Sequence, residues 1–469
     1  MSVLVSLVVA AAVSQVNPPA PFGPTPSAKQ VEWYGREIIA FFHFGINTFG
    51  DEVNEGDGKA SPAIFNPTQL DCGQWMKALK GAGISCGILV AKHADGFCNW
   101  PSAYTDYSVK NSPWKGGKGD VVREYTDACK AAGIKAGIYL GPHDRREPTY
   151  RTPAYGDYYA NQLTELMTHY GPIWEIWWDG AGADFLTTDL YTRWAEIIHK
   201  TQPQCVFFGT KHSYPFADCR WVGNEEGHSG DPCWSTIDPT SIRDESDHIQ
   251  DLNHGQLDGT AYIPAEVDVS IRPSWFYHAS EDTRVKTVPE LIDIYCNSVG
   301  RNSVLLLNFP PDRRGLVPDT DAHNAAGLHQ WIAKTFAHNL LHGSKITAEH
   351  PRGPGFQPAN LVDGKEGTYY ASADGSLSDT LEFDMGKPKT FDCLMIQEVI
   401  QLGHRTTSWS VEYSNDAQTW SPVPGATDKQ SIGHKWIVRF PAITASHIRL
   451  SLKGRATAAI HTFGVYKQP

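Results

Sequence analysis

The sequence predicts an α/β protein, a (β/α)8 TIM-like barrel followed by an all-β sandwich domain, from two observations. First, apolar runs of strand length alternate with amphipathic segments from residue 38 to residue 309. Such alternation is typical of a parallel sheet covered by helices. Second, short strand-like segments separated by turn residues replace the helical periodicity after about residue 345, which is typical of a β-sandwich.

The predicted barrel strands are eight apolar runs, at residues 38–44, 86–93, 135–141, 173–179, 205–209, 220–225, 266–271 and 303–309. Amphipathic segments predict helices at 73–83, 121–133, 158–171, 191–201 and 287–300. Eight strands over roughly 270 residues fit a closed barrel. A doubly wound sheet is the alternative, but no GxGxxG fingerprint follows the first run, which disfavours a dinucleotide fold.

The N-terminus predicts export. Residues 3–13 form an apolar run that small residues follow, as in a signal peptide, and the run is too short to span a membrane. We therefore expect a secreted or periplasmic protein without a membrane span. The predicted segments are a signal peptide at 1–16, a Pro-rich linker at 17–29, the barrel at 30–342 and the sandwich at 343–469.

The composition excludes some classes of partner. The 469 residues carry a net charge of −12, whereas a nucleic-acid partner would require a basic surface. The nine cysteines are scattered without a CxxC pair or metal-ligand spacing, so neither a disulfide framework nor a cysteine metal site is expected. The 15 Trp, 19 Tyr and 19 Phe residues suit a large core and, in addition, a groove for sugar rings.

Polar side chains stand at the ends of six predicted strands. In a (β/α)8 barrel the chemistry lies at the carboxyl ends of the strands. We therefore expect one site built from the polar residues at those ends, which are His43, His93, Tyr139, Asp179, Glu225 and Asn308.

Two carboxylates in this set indicate acid–base hydrolysis of a glycoside. In a retaining mechanism one carboxylate is the nucleophile and a second, about 5 Å away, is the general acid/base. Asp179 is the predicted nucleophile and Glu225 the predicted acid/base, with Glu266 and Asp268 as competitors for the second role. The rival chemistry is metal-dependent hydrolysis with His43, His93 and Asp179 as zinc ligands, although no HxH or HExxH pair is present.

The run IWEIWWD (173–179) is the most unusual of the predicted strands. Side chains alternate along a strand, so Trp177 should face the site with Asp179 while Trp178 packs outward. Glu175 should face inward one layer deeper, where a carboxyl group requires a buried hydrogen-bonding partner.

Seven segments together resemble the α-L-fucosidases of glycoside hydrolase family 29. The resemblance extends from about residue 30 to about residue 340, and WVGNE and DVSIRPSWFYH are more similar to the branch that cleaves α-1,3/1,4-linked fucose. The C-terminal region resembles discoidin-type sandwiches. The segments are HFGINTFG (43–50), FNPTQLDCGQWMKALKGAG (65–83), AKHADGFCNWPSAYTDYSV (91–109), WWDG (177–180), WVGNEEG (221–227), EVDVSIRPSWFYH (266–278) and RNSVLLLNFPPDRRGL (301–316).

The resemblance implies a retaining, exo-acting hydrolase of fucosylated glycans that needs no metal or other cofactor. It places the nucleophile at Asp179 and the acid/base at Glu225. An α-L-galactosidase-like enzyme and a catalytically weak carbohydrate-binding protein are the alternatives on the same fold. The implied substrate-binding residues are His43, His93, Trp100, Tyr139, Trp177, Trp275 and, as further candidates, Glu55 and Glu266.

Three positions depart from the family pattern. Ala94 stands where a second histidine is usual, and Ser274 stands where glycine is usual. VNEGDG (53–58) replaces a Glu-Trp-Gly segment, so that Glu55 is the candidate for its carboxylate. The changes at Ala94 and at residues 53–58 touch the expected fucose pocket and leave L-galactose as an alternative sugar.

Overall fold

The computed structural model describes residues 16–50, 56–242 and 247–469. The predicted signal peptide, except for Val16, and the candidate Glu55 lie outside the described residues. In the ranges that are described, no helix is both long enough and apolar enough to cross a membrane.

Eight parallel strands close into a barrel, which confirms the predicted fold class. Neighbours along the chain are neighbours in the barrel, and the last strand pairs with the first through contacts such as Phe41 with Asn308. The strands are β1 (Ile38–Phe42), β2 (Cys86–Lys92), β3 (Lys135–Leu140), β4 (Glu175–Trp177), β5 (Val206–Gly209), β6 (Cys219–Trp221), β7 (Ala265–Ser270) and β8 (Ser303–Asn308).

Helices cover the outside of the barrel. A 3-10 segment at Lys211–Phe216 follows β5, where the other strands are followed by α-helices. Local sequence sets the helix ends; for example, the Asp120 side chain accepts the backbone N–H of Arg123, and Gly133 ends the same helix at φ 68°. The α-helices are α1 (Ala28–Tyr34), α2 (Cys72–Gly81), α3 (Val121–Ala132), α4 (Tyr155–His169), α5 (Thr188–Thr201), α6 (Ile249–His254), α7 (Val288–Asn297) and α8 (Asp319–Thr335).

Strand β6 is shorter than the sequence predicted. The run 220–225 was expected to be one strand ending at Glu225, but β6 ends at Trp221. Gly223 has φ 88°, a left-handed conformation that breaks an extended strand. Glu225 therefore lies on the loop after β6, and the prediction that it ends a strand is wrong.

Trp177, the last residue of β4, and Trp178, which follows it, point to opposite sides of the sheet, as predicted. Trp178 is fully buried and packs outward between Tyr191 of α5 and Phe207 of β5. Trp177 faces the barrel interior, where it stacks on Phe208 with ring centroids 4.0 Å apart. The alternation of a strand thus delivers one indole to the outer core and the other to the barrel interior.

Antiparallel strands form the C-terminal domain, which confirms the predicted all-β second domain. The two longest strands pair with each other and change register twice, between Asp384 and Lys389 and between Phe391 and Cys393. A separate apolar core that includes Trp409 and Trp436 lies inside. The strands are Lys345–Ala348, Tyr370–Ala371, Ser378–Glu398, Thr406–Ser414, Ser421–Pro422, Trp436–Gly454 and Ala459–Tyr466.

The sandwich packs directly on the barrel. Ile437 and Tyr466 of the sandwich belong to the apolar cluster that lies between the barrel strands and their helices. Lys435 forms an ion pair with Glu37, and the Ser235 N–H donates to Nε2 of His404 at 2.8 Å. Apolar and polar contacts thus join the two domains.

Candidate active site

A cavity of about 340 Å³ opens at the carboxyl ends of the barrel strands. It brings together seven of the residues that the sequence predicted for the site, from six strands or the loops after them. A second lobe of about 450 Å³ shares five residues with it, Trp177, Asp179, Ala181, Glu225 and Asp268. The first lobe is lined by Phe41, His43, His93, Tyr139, Trp177, Asp179, Ala181, Glu225, Asp268 and Trp275.

Asp179 is held in place by two hydrogen bonds. The Tyr139 hydroxyl donates to Oδ2 at 2.7 Å, and the backbone N–H of Ala181 donates to Oδ1 at 2.8 Å. Burial raises the pKa of the Asp179 carboxyl, whereas these two donors favour its ionised form and limit the rise. The carboxylate is therefore fixed in orientation and presented to the cavity.

The bond from Tyr139 can be tested by the pH dependence of hydrolysis. In Tyr139→Phe the ionised form of Asp179 loses a donor, so the pKa of Asp179 should rise. The nucleophile that the sequence predicts at Asp179 must be ionised, so we expect the acidic limb of the kcat/KM profile to move to higher pH and kcat to fall by about 10-fold. Tyr104→Phe, at an exposed position, is the control, and an unmoved acidic limb in Tyr139→Phe would contradict this role.

Glu225 lies on the loop after β6 and is exposed at the mouth of the cavity. The Trp275 indole Nε1 donates to Glu225 Oε2 at 3.2 Å. An exposed carboxyl at the rim is accessible to a leaving group and to water. The position suits a group that must exchange a proton with both.

Asp268, a competitor of Glu225 for the acid/base role, is also part of the site. It is buried, lines both lobes and accepts the Trp221 Nε1–H at 3.0 Å. Burial and, secondarily, the negative charge of Glu225 raise the pKa of Asp268 well above its usual range. Its inward position on β7 was the available signal, but a strand pattern alone does not separate it from Glu266, two residues earlier on the same face.

His43 presents a neutral imidazole to the cavity. Burial, followed by the neighbouring His93, lowers its pKa well below the usual range. Asn308 Nδ2 donates to Ser270 Oγ at 2.9 Å and to the Trp275 carbonyl at 2.8 Å. These bonds direct Asn308 Oδ1 toward His43 Nδ1, 3.0 Å away, so that nitrogen carries the proton and Nε2 is the acceptor. A sugar hydroxyl is a suitable donor for it.

Aromatic rings form one wall of the cavity. Tyr139 stacks on His93 with centroids 5.6 Å apart and on Trp177 with centroids 5.3 Å apart. Trp275 packs against His43 at 5.0 Å on another side. Rings beside convergent polar groups are typical of small-ligand pockets, and this wall offers flat apolar surface to a sugar ring.

Two predicted substrate contacts lie below the cavity surface. Trp100 is 2% exposed and donates from Nε1 to Glu165 Oε2 at 2.8 Å. Glu266 is fully buried and accepts the Trp177 Nε1–H at 2.9 Å. Neither lines the cavity, because α4 provides a partner for Trp100 and Trp177 covers Glu266.

The predicted zinc ligands share the cavity without forming a compact donor set. Within the described ranges, the grouping with donor atoms all within 4.8 Å of one another is Glu175, Cys219 and Glu266. His43, His93 and Asp179 line the same cavity but do not meet that spacing.

Ser274 and Ala94, two of the departures from the family pattern, are both buried. Ser274 Oγ donates to Glu281 Oε1 at 2.6 Å, and its N–H donates to Glu281 Oε2 at 3.2 Å. These bonds hold the loop that carries Trp275. Ala94 is 1% exposed and does not line the cavity.

The second lobe extends the cavity away from the aromatic wall. Trp221 and Ile249 provide apolar surface there, and Lys211 forms an ion pair with Asp184. Asp179 and Glu225 stand where the two lobes meet. The geometry therefore provides two neighbouring spaces with the two carboxylates between them.

Comparison with known proteins identifies two regions of the chain. The α-L-fucosidase family model matches residues 22–335, and the F5/8 type C domain model matches residues 345–462. Alpha-L-fucosidase 1 of Arabidopsis thaliana is 39% identical over 457 residues, which cover 96% of this chain and 88% of that protein.

Solved structures give the same result. A crystal structure from Bacteroides thetaiotaomicron has 64% sequence identity and a TM-score of 0.94, and the match covers 96% of this chain and 99% of that chain. A Ruminococcus gnavus glycoside hydrolase family 29 fucosidase in complex with fucose has 31% identity and a TM-score of 0.87, covering 97% of both chains.

Proposed function

The chain belongs to the α-L-fucosidases of glycoside hydrolase family 29, and we propose that it is a retaining, exo-acting enzyme with Asp179 as nucleophile and Glu225 as general acid/base. One observation carries this assignment. The two carboxylates line the same cavity at the carboxyl ends of the barrel strands, where the two lobes meet. Two carboxylates flanking the scissile bond are what glycoside hydrolysis requires.

The proposed reaction has two steps. Asp179 Oδ attacks the anomeric carbon, the glycosidic C–O bond breaks, and Glu225 gives its proton to the leaving oxygen. In the second step Glu225 removes a proton from water, which attacks the same carbon and releases Asp179. The donors from Tyr139 and Ala181 keep Asp179 oriented through both steps.

The first lobe suits a terminal fucose. Phe41 and Trp177 pack together on one side of it, and the second lobe adjoins it at Asp179 and Glu225. We therefore place the terminal sugar in the first lobe and the rest of the sugar chain in the second, as an exo-acting enzyme requires. The neutral His43 accepts a hydrogen bond from a hydroxyl of the sugar. The aromatic wall contacts the apolar face and the methyl group of the fucose ring. The fucose complex of the Ruminococcus gnavus relative supports fucose as the sugar.

We propose α-1,3- and α-1,4-linked fucose as the preferred linkages, on the similarity of WVGNE and DVSIRPSWFYH to that branch of the family. We expect kcat/KM for α-1,3/1,4-fucosylated oligosaccharides to exceed that for α-1,2 and α-1,6 isomers by at least about 10-fold, which corresponds to about 1.4 kcal/mol. The same assay with an aryl α-L-galactoside compares the sugars. Faster hydrolysis of the galactoside than of the fucoside would contradict the proposal. Faster hydrolysis of an α-1,2 or α-1,6 linkage than of the α-1,3 and α-1,4 linkages would contradict it as well.

A further inference from the structure

Two glutamates share the layer of the barrel interior below Trp177. Glu175 lies on β4 and Glu266 on β7, and both are fully buried. One carboxyl oxygen of each lies within 4.8 Å of the other and of the Cys219 sulfur. Burial is the main reason that the pKa of each carboxyl is raised, and for Glu175 the next is the negative charge of Glu266. Two carboxyl groups in this setting cannot both be ionised.

The surrounding groups decide which glutamate carries the proton. Burial raises the pKa of both carboxyls, to well above the usual range for Glu175 and to about 7 for Glu266. The Trp177 indole donates to Glu266 Oε1 and so favours the ionised form of Glu266. The proton of the pair is therefore assigned to Glu175, the member whose pKa is raised further, and its carboxyl lies beside that of Glu266.

A continuous series of contacts leads from this pair to the nucleophile. Glu266 Oε1 accepts the Trp177 Nε1–H at 2.9 Å. The Trp177 ring stacks on Tyr139 with an interplanar angle of 21°. The Tyr139 hydroxyl donates to Asp179 at 2.7 Å. A displaced indole would therefore move the ring that positions the donor to Asp179.

We propose that Glu266 is a positioning residue: with Glu175 as its proton-bearing partner, it fixes the Trp177 indole and, through the Tyr139 ring, the orientation of Asp179. This inference rests on the proposed function, since it assumes that Asp179 is the nucleophile. It gives Glu266 a role distinct from acid/base catalysis and from substrate contact, and it provides the buried partner that Glu175 requires.

Substitutions at Glu266 separate positioning from acid/base catalysis. Glu266→Leu removes the acceptor for Trp177. We expect kcat to fall by about 10- to 100-fold, with a smaller change in KM, and by the same factor for substrates with good and with poor leaving groups. Glu266→Gln retains an acceptor oxygen of the same shape and should recover most of the lost activity. Glu196→Leu, exposed on α5, is the control for the loss of a carboxylate.

The partner glutamate provides an independent measurement. Because Glu175 is neutral, the amide in Glu175→Gln can replace its donor function, and kcat should remain within a few-fold of wild type. Glu175→Leu removes that donor and should lower kcat further than Glu175→Gln. If Glu175→Gln lost as much activity as Glu175→Leu, the claim that the pair shares one proton would be wrong. One equivalent of bound metal in elemental analysis of the purified wild-type enzyme would also contradict it.

Three further results decide the proposal. A folded Glu266→Leu with kcat within twofold of wild type would overturn it. A loss of activity in Glu266→Gln that is confined to substrates with poor leaving groups would also overturn it, because that pattern identifies a general acid/base. If Glu266→Leu does not fold by circular dichroism, Trp177→Phe removes the donor of the same bond, and an unchanged kcat there would refute positioning. Absence of wild-type activity on an aryl α-L-fucoside would instead refute the proposed function.

Discussion

Replacing Asp179 by alanine should lower kcat on an aryl α-L-fucoside by at least about 10³-fold, because the variant lacks the proposed nucleophile. Azide should restore part of the activity, since it fits the space that the side chain vacates and attacks from the same face. The expected product is the β-fucosyl azide, in which the anomeric centre is inverted relative to the substrate. Initial rates with and without azide and NMR of the product measure both effects.

The matched control is Asp157→Ala, which removes an exposed carboxylate that pairs with Arg193 on the barrel exterior. This variant should retain wild-type kcat, because surface ion pairs contribute little to stability and Asp157 lies outside the cavity. An Asp179→Ala enzyme with near-wild-type turnover would refute the assignment of the nucleophile. Azide rescue that gives the α-azide would refute the proposed face of attack.

Replacing Glu225 by alanine should affect substrates according to their leaving groups. A sugar leaving group requires protonation, so kcat/KM for a fucosylated oligosaccharide should fall by about 10²- to 10⁴-fold. A fucoside with an acidic phenol as leaving group departs without protonation, and its kcat/KM should fall by less than about 10-fold. A series of aryl fucosides of graded leaving-group pKa measures the difference directly.

Glu226→Ala is the matched control for this residue. Glu226 is the next residue along the same loop, its side chain is 78% exposed, and it lies outside the lining of both lobes. We expect kcat/KM of Glu226→Ala to depend on the leaving group in the same way as kcat/KM of the wild type. If Glu225→Ala lost activity equally on all leaving groups, or if Asp268→Ala alone showed the selective loss, the acid/base role would belong elsewhere.

The barrel and the position of Asp179 could be predicted from the sequence because both depend on local periodicity. A run such as CGILVAK is apolar on both faces, which is the pattern of a strand buried on both sides. Asp179 follows such a run directly, and the chain must leave the barrel there. The alternation that separates Trp177 from Trp178 follows from the same geometry.

Other features depend on contacts between distant parts of the chain. A strand pattern does not show that Gly223 adopts a left-handed conformation and ends β6 early. Nor does it show that Glu165, 65 residues away, accepts the Trp100 indole. Glu266 and Asp268 share one face of β7, but only the packing of Trp177 places the first below the cavity and the second in it.

The most direct test of the central claim is to trap the covalent intermediate. A 2-deoxy-2-fluoro-α-L-fucosyl fluoride has a leaving group good enough for the first step, while the electron-withdrawing fluorine at C2 slows the second. Mass spectrometry of the digested, inactivated enzyme then identifies the labelled residue. We predict one fucosyl label per chain, on Asp179. A label on any other carboxylate, or hydrolysis with inversion at the anomeric centre, would contradict it.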